Sequence, residues 1–346
     1  MGSSGTGRAF IGSFTTAGGR GIISASVDRG TGALTVLGAT DAVANPSFLA
    51  LSQDGSVLYG VSETAEGAVA AYDVTGAQPQ LAGAAVPVGG KDPTHLAVAA
   101  GHVLTANYSS GSVSVLPLRG GGLGEPTSVL RHKGSGPNAE RQEGPHAHQV
   151  LPDPSGRWVV SVDLGTDSVR TCALDASTGV LTLHGETALK AGSGPRHLVF
   201  HPDGTHAYVL NELEPTLTVC RWDAGAGTLQ PVGETAVVPD GVYTETYASE
   251  VVVSHDGRFL WAANRGHDSL SVLALDRTRE KPALVTTVDC GGHWPRDLTL
   301  DPTGRRLYAA NERSGDVTWF DIDPGTGIPR RAGSIEAPAA SCVVFG

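Results

Sequence analysis

The sequence predicts an all-β protein, a seven-bladed β-propeller whose ring closes by pairing the N- and C-terminal strands in one blade. A repeat is the first reason. A turn residue, an apolar strand, a glycine turn and a second strand recur at Pro46 to Gly55, Pro93 to Gly101, Pro145 to Gly156, Pro195 to Gly204, Ala248 to Gly257 and Pro295 to Gly304. The glycines are 46, 55, 48, 53 and 47 residues apart, the period of one four-stranded blade. The complementary ends are the second reason. Ala340 to Phe345 reads as a first strand with no second, and Arg8 to Gly12 as a second strand with no first, followed by a third at Gly21 to Val27. Pairing them completes a seventh blade and removes the exposed edges of an open array. Lastly, 47 glycines and 21 prolines spread along the chain suit many tight turns. One propeller domain over residues 1–346 accounts for the length.

Composition narrows the partners. The net charge is −11, with four lysines against twenty arginines and no basic run, which argues against nucleic acid. No stretch approaches the roughly 18–20 apolar residues of a membrane span. Met1 to Gly7 is small and polar, without the apolar centre of a signal peptide. A soluble cytoplasmic protein, monomeric or a weak homo-oligomer, is expected. Cys172, Cys220, Cys290 and Cys342 lack metal-ligand spacing. Cys172 and Cys220 each follow their blade's glycine by sixteen residues, so small buried thiols on equivalent third strands are expected.

Two repeats are long, through Ser128 to Gly144 and Thr235 to Tyr247, each just before a first strand. In an up-and-down blade, the start of the first strand and the end of the second share one face. Both insertions therefore fall on that face, where loops on a rigid scaffold carry sites.

Stacking the repeats gives columns. The innermost strand contributes Ser47, Thr94, His148, Arg196, Ser249, Arg296 and Ser341, then Phe48, His95, Gln149, His197, Glu250, Asp297 and Cys342. Second strands end at Phe14, Glu63, Tyr108, Leu164, Glu212, Arg265 and Glu312, mostly preceded by a small polar residue such as Asn107, Asn211, Asn264 or Asn311. Charge gathers from His148 to Glu312, whereas a purely structural role would repeat evenly. The asparagines suit turn caps between second and third strands as well as ligand contacts. The carboxylates suit ion pairs with the arginines as well as catalysis. His146 and His148 alternate along a strand and would point the same way, but zinc usually takes three protein ligands, so no metal or other cofactor is called for. His95, His197 and His267 read as hydrogen-bonded polar residues near the rim.

Arginines on a rigid rim match carboxylate or phosphate groups and can polarise a carbonyl oxygen. A carboxylate or a histidine beside them can activate water or move a proton. Such a mouth fits a small, anionic, oxygen-rich molecule.

These residues, within Gly134-Ser-Gly-Pro-Asn-Ala-Glu-Arg-Gln-Glu-Gly-Pro-His-Ala-His148, Gly194-Pro-Arg-His197, Asn211-Glu-Leu213, Asn264-Arg-Gly-His-Asp-Ser269 and Trp294-Pro-Arg-Asp297, give a chain that closely resembles the seven-bladed propeller lactonase family. That family includes propeller-type 6-phosphogluconolactonases and fungal 3-carboxy-cis,cis-muconate lactonizing enzymes. The resemblance implies His148, Arg196, Glu212 and Arg265 as catalytic residues. The column reading adds His146, Glu250, Arg296, Asn211, Asn264 and Asn311 as substrate-binding. Leu164 and Ala339-Ala-Ser-Cys342 are plainer than the family pattern.

The expected function is hydrolysis of a small anionic sugar lactone, foremost 6-phosphoglucono-1,5-lactone, with Glu212 or His148 as base. A carboxy-cis,cis-muconate cycloisomerase would use the same residues. A non-catalytic interaction platform would need more aromatic surface than Phe14, Tyr108, Tyr243 and Trp294 supply. A metal-dependent sugar lactonase would be six-bladed and show a clear ligand set.

Overall fold

Each repeat places apolar residues on both faces of its inner strands, because a blade is covered by a neighbour on either side. His206–Asn211 and His102–Asn107, second strands of two blades, are buried along their whole length. Apolar clusters fill the spaces between adjacent sheets. One joins Tyr208, Leu210, Leu217 and Val219 of one blade to Val251, Leu260 and Ala262 of the next.

The computed structural model describes residues 7–120, 122–241 and 244–346. Tyr243 and most of the opening Met1 to Gly7 segment lie outside the described residues. Seven antiparallel sheets form the ring, five of four strands and two whose outer strand is split into two short pieces. We number the blades by their first strands. These are Leu49–Leu51 (I), Pro93–Ala99 (II), Ala147–Pro152 (III), Pro195–Phe200 (IV), Tyr247–Val253 (V), Pro295–Leu300 (VI) and Ala340–Phe345 (VII). Blade VII is closed as the sequence predicts: Ala9 pairs with Phe345, Ile11 with Val343 and Gly12 with Cys342. Among the described residues no helix is long and apolar enough to cross a membrane.

The repeat glycines have a backbone reason. Gly55, Gly101, Gly156, Gly204, Gly257 and Gly304 all adopt φ between 68° and 76° in the turn from first to second strand. Only glycine takes that conformation without steric cost.

A β-bulge near the start of the first strand recurs in six blades. Pairing skips Thr94 in blade II, His148 in III, Arg196 in IV, both Ser249 and Glu250 against one residue in V, Arg296 in VI and Ser341 in VII. A bulged residue leaves the ladder and its side chain is re-aimed. Consecutive residues such as Arg196 and His197 therefore both face the central channel, where a regular strand would send one to each side.

Candidate active site

Three bulges deliver His148, Arg196 and Arg296 to one mouth of the channel, and second-strand ends deliver Glu63, Glu212, Arg265 and Glu312. A cavity of about 220 Å³ opens there, walled by Glu63, Thr94, Tyr108, Arg141, His148, Glu212, Arg265 and Arg296.

Glu212 is the centre of its charge. It is 3 % exposed, with Arg141 Nη2 at 2.6 Å from Oε1, and Arg265 Nη2 at 2.8 Å and Arg196 Nε at 3.2 Å from Oε2. The Arg196 contact is an ion contact without hydrogen-bond alignment, since Nε has no hydrogen-bond partner. Burial pushes the Glu212 carboxyl up, but Arg265, Arg196 and Arg141 outweigh it and bring its pKa to about 2. Arg196 also donates to the Ser249 carbonyl, and Arg265 to those of Tyr247 (3.3 Å) and Ala248 (3.4 Å). Arg296 lies between Glu312 (3.4 Å) and Glu63 (3.8 Å), with Phe14 beneath its guanidinium at 4.8 Å.

His148 faces this cluster without a carboxylate partner. Its ring stands edge-on to Tyr108 and to His197, with centroids 5.7 and 5.1 Å away. Burial, and then the charges of Arg196, His197, Arg296 and Arg265, hold its pKa well below the ordinary histidine value. The ring is neutral at physiological pH, as a proton acceptor must be.

The model of the lactonase, 7-bladed beta-propeller family matches residues 8–345. The chain belongs to that family. It is 35% identical to the 6-phosphogluconolactonase of Bacillus subtilis (strain 168), over 97% of both chains. Its fold superposes on a Lactobacillus plantarum protein with TM-score 0.92 and 30% identity, covering 99% of this chain and 100% of that one. The periplasmic gluconolactonase PpgL of Pseudomonas aeruginosa gives TM-score 0.92 and 28% identity over 99% of both.

Within this lactonase scaffold, His148, Glu212, Arg265 and Arg296 line the mouth and Arg196 reaches it through Glu212, while other candidates do not line it. Asn211, Asn264 and Asn311 have no exposed surface, and their amides donate to third-strand hydroxyls: Thr216 and Thr218, Ser269 and Ser271, and Thr318. They cap the turn, which corrects their reading as substrate-binding. His146 is also corrected. It stacks on Tyr108 at 4.4 Å, with Nδ1 at the Tyr108 carbonyl and Nε2 3.3 Å from Glu143. The bulge at His148 breaks the alternation that would have aimed both imidazoles one way.

Glu250 lies below the mouth. Its Oε2 is 2.6 Å from His197 Nδ1, and its carboxyl meets that of Asp297. Both border a space of about 10 Å³, room for one water, shared with Arg196 and Arg296. His197 and His95 are thus channel residues rather than rim residues, and His95 Nδ1 has no hydrogen-bond partner. His267 does bond a polar neighbour, Ser269 Oγ, at 2.6 Å. Among the described residues no three His, Cys, Asp or Glu side chains are grouped as a metal ligand set.

Arg141 is the site residue absent from the columns. It comes from the insertion after blade II, reaches Glu212, and approaches the Tyr108 hydroxyl at 3.5 Å. Its signals were the length and placement of that insertion and its position within the Gly134 to His148 segment. All four cysteines are free and buried, with Cys172 and Cys220 packed in equivalent third strands.

Proposed function

We propose that the protein hydrolyses 6-phosphoglucono-1,5-lactone to 6-phosphogluconate, with His148 as the base. The observation that carries this reading is the neutral His148 imidazole lining the same cavity as a guanidinium cluster. The Bacillus subtilis relative, named a 6-phosphogluconolactonase, supplies the substrate class.

The lactone carbonyl oxygen lies against Arg265, with Arg196 behind it on Glu212, and their charge stabilises the oxyanion. His148 takes a proton from water as its oxygen bonds to C1. The tetrahedral intermediate collapses, the bond from C1 to the ring oxygen breaks, and the imidazolium returns the proton to that oxygen. Glu212 stays ionised throughout. A carboxylate with a pKa of about 2 and three guanidiniums around it is a poor proton acceptor. Its part is to hold Arg141, Arg196 and Arg265 in place. This divides the two candidate bases by environment.

The test is hydrolysis of 6-phosphogluconolactone by purified, EDTA-treated protein, corrected for the spontaneous rate. Acceleration that is lost in His148→Gln supports the reading. No acceleration moves the assignment to a muconate-type cyclisation at the same cations. A cytoplasmic location and a monomeric or weakly homo-oligomeric state belong to the proposal, checked by fractionation and by light scattering. The periplasmic relative makes the first of these worth measuring.

A further inference from the structure

The inner arginines are already ion-paired. Arg141, Arg196 and Arg265 share Glu212, and Arg296 sits between Glu63 and Glu312. The surplus positive charge of this inner cluster faces the lactone carbonyl and its developing oxyanion, so the phosphate calls for a cation of its own. Arg313 differs. It is exposed, makes no ion pair among the described residues, and lies flat on the Trp294 indole with its guanidinium carbon 3.3 Å from the ring centroid. The same indole lies 5.6 Å from the Arg265 guanidinium carbon, so Trp294 links Arg313 to the inner cluster.

The placement is fixed by backbone. The Glu312 N–H donates to the Trp294 carbonyl at 3.0 Å, and the Arg313 N–H to that of His293 at 3.1 Å. Asp268, the nearby carboxylate, is occupied by the Trp294 N–H at 2.8 Å and by His293.

Trp294 also sits where the backbone resists it. Five blades place a residue of positive φ two positions before the channel-lining one. They are Asn45 (48°), Asp92 (49°), Gly194 (61°), Ala339 (52°) and Trp294 (66°). The other four are small, and three of them are types that tolerate the left-handed region. A bulky aromatic there is strained, and strain of this kind collects at ligand-binding positions.

We propose that Arg313, carried on Trp294, receives the phosphate of the substrate, while the lactone ring occupies the cavity beside His148. This rests on the lactonase reading and adds what selects a phosphorylated over an unphosphorylated lactone. Stacking leaves the planar fork of the guanidinium free to bind phosphate oxygens and lowers its ordering cost.

The test compares 6-phosphogluconate with gluconate by calorimetry, and turnover of the two corresponding lactones, in wild type, Arg313→Ala and Trp294→Gly. Wild type is expected to favour the phosphorylated member of each pair by about tenfold or more, the worth of a charge-assisted contact. Arg313→Ala should erase that preference and leave the gluconate pair within about twofold. Trp294→Gly should erase it too, because the guanidinium loses the surface on which it is stacked. Equal losses on both members, or no loss, would overturn the subsite. A phosphate preference in binding without catalysed hydrolysis would retain the subsite and overturn the lactonase reading. Hydrolysis without a phosphate preference would do the reverse.

Discussion

Arg265 Nη2 lies 2.8 Å from Glu212 Oε2, tying the second-strand end of blade IV to that of blade V across the mouth. With Arg141 and Arg196 on the same carboxylate, one buried anion organises cations from blade IV, blade V and the insertion after blade II. The shape of the site therefore depends on Glu212.

Glu212→Gln is expected to affect stability and rate together. Removing one partner of a buried ion cluster costs about 3–5 kcal/mol, because the remaining charges stay buried and uncompensated. A loss of that size lowers the melting temperature by several degrees in a chain of this length. Differential scanning calorimetry reads it, and an unchanged melting temperature would show that the arginines hold their places without the carboxylate.

His148→Gln should separate chemistry from folding. The rate is expected to fall by roughly 10²–10⁴, the usual yield of a positioned general base. In wild type the acid limb of kcat/KM should lie below pH 6.5, because burial and the facing arginines disfavour the imidazolium. An acid limb above pH 6.5 would assign the base to another group.

The Glu250–Asp297 pair predicts how stability varies with pH. Burial is the main cause that pushes the two carboxyls up, to about 7 and about 8. Between the ordinary carboxylate range near 4 and these values, the folded protein binds more protons than the unfolded chain. Stability from this pair should therefore fall as pH rises from about 4 to about 8. Asp297→Asn, whose amide imitates the protonated acid that donates to Glu250, should flatten the decline of melting temperature across that range. An unaltered slope would place the titration elsewhere.

The native thiols should be silent. Burial pushes Cys172, Cys220 and Cys290 up to about 12, and Cys342 further. A thiol reagent at pH 8 is expected to label none of the four cysteines in the folded protein and all of them in denaturant. Fast labelling without denaturant would reveal local opening of a blade.

Much of this was legible in the sequence because the propeller repeats its backbone problem seven times. Gly204 and Gly257 mark the same left-handed turn, so residues at fixed distances from them, such as Arg196 and Ser249, fall in one column. The bulges were not legible. No residue type announces that pairing will skip His148 or Arg296, yet that skip turns adjacent residues into one channel wall and turns His146 away from it. The asparagines misled because turn cap and ligand contact call for the same amide at the same place. Only the third-strand hydroxyls of Thr216 or Ser271, in contact with those amides, decide between them. Arg141 escaped because it reaches Glu212 from a loop outside the repeat.

The seventh blade joins Gly7–Ser13 to Ala340–Phe345, strands more than 300 residues apart in the chain. Six blades can assemble in order as the polypeptide leaves the ribosome, but the seventh stays one strand short until Ala340–Phe345 arrives. Until then one edge of Gly7–Ser13 has no strand beside it, and a chain cut short before Ala340 offers that edge to proteases and to other nascent chains. The last six-residue strand thus acts as a latch that separates finished molecules from unfinished ones.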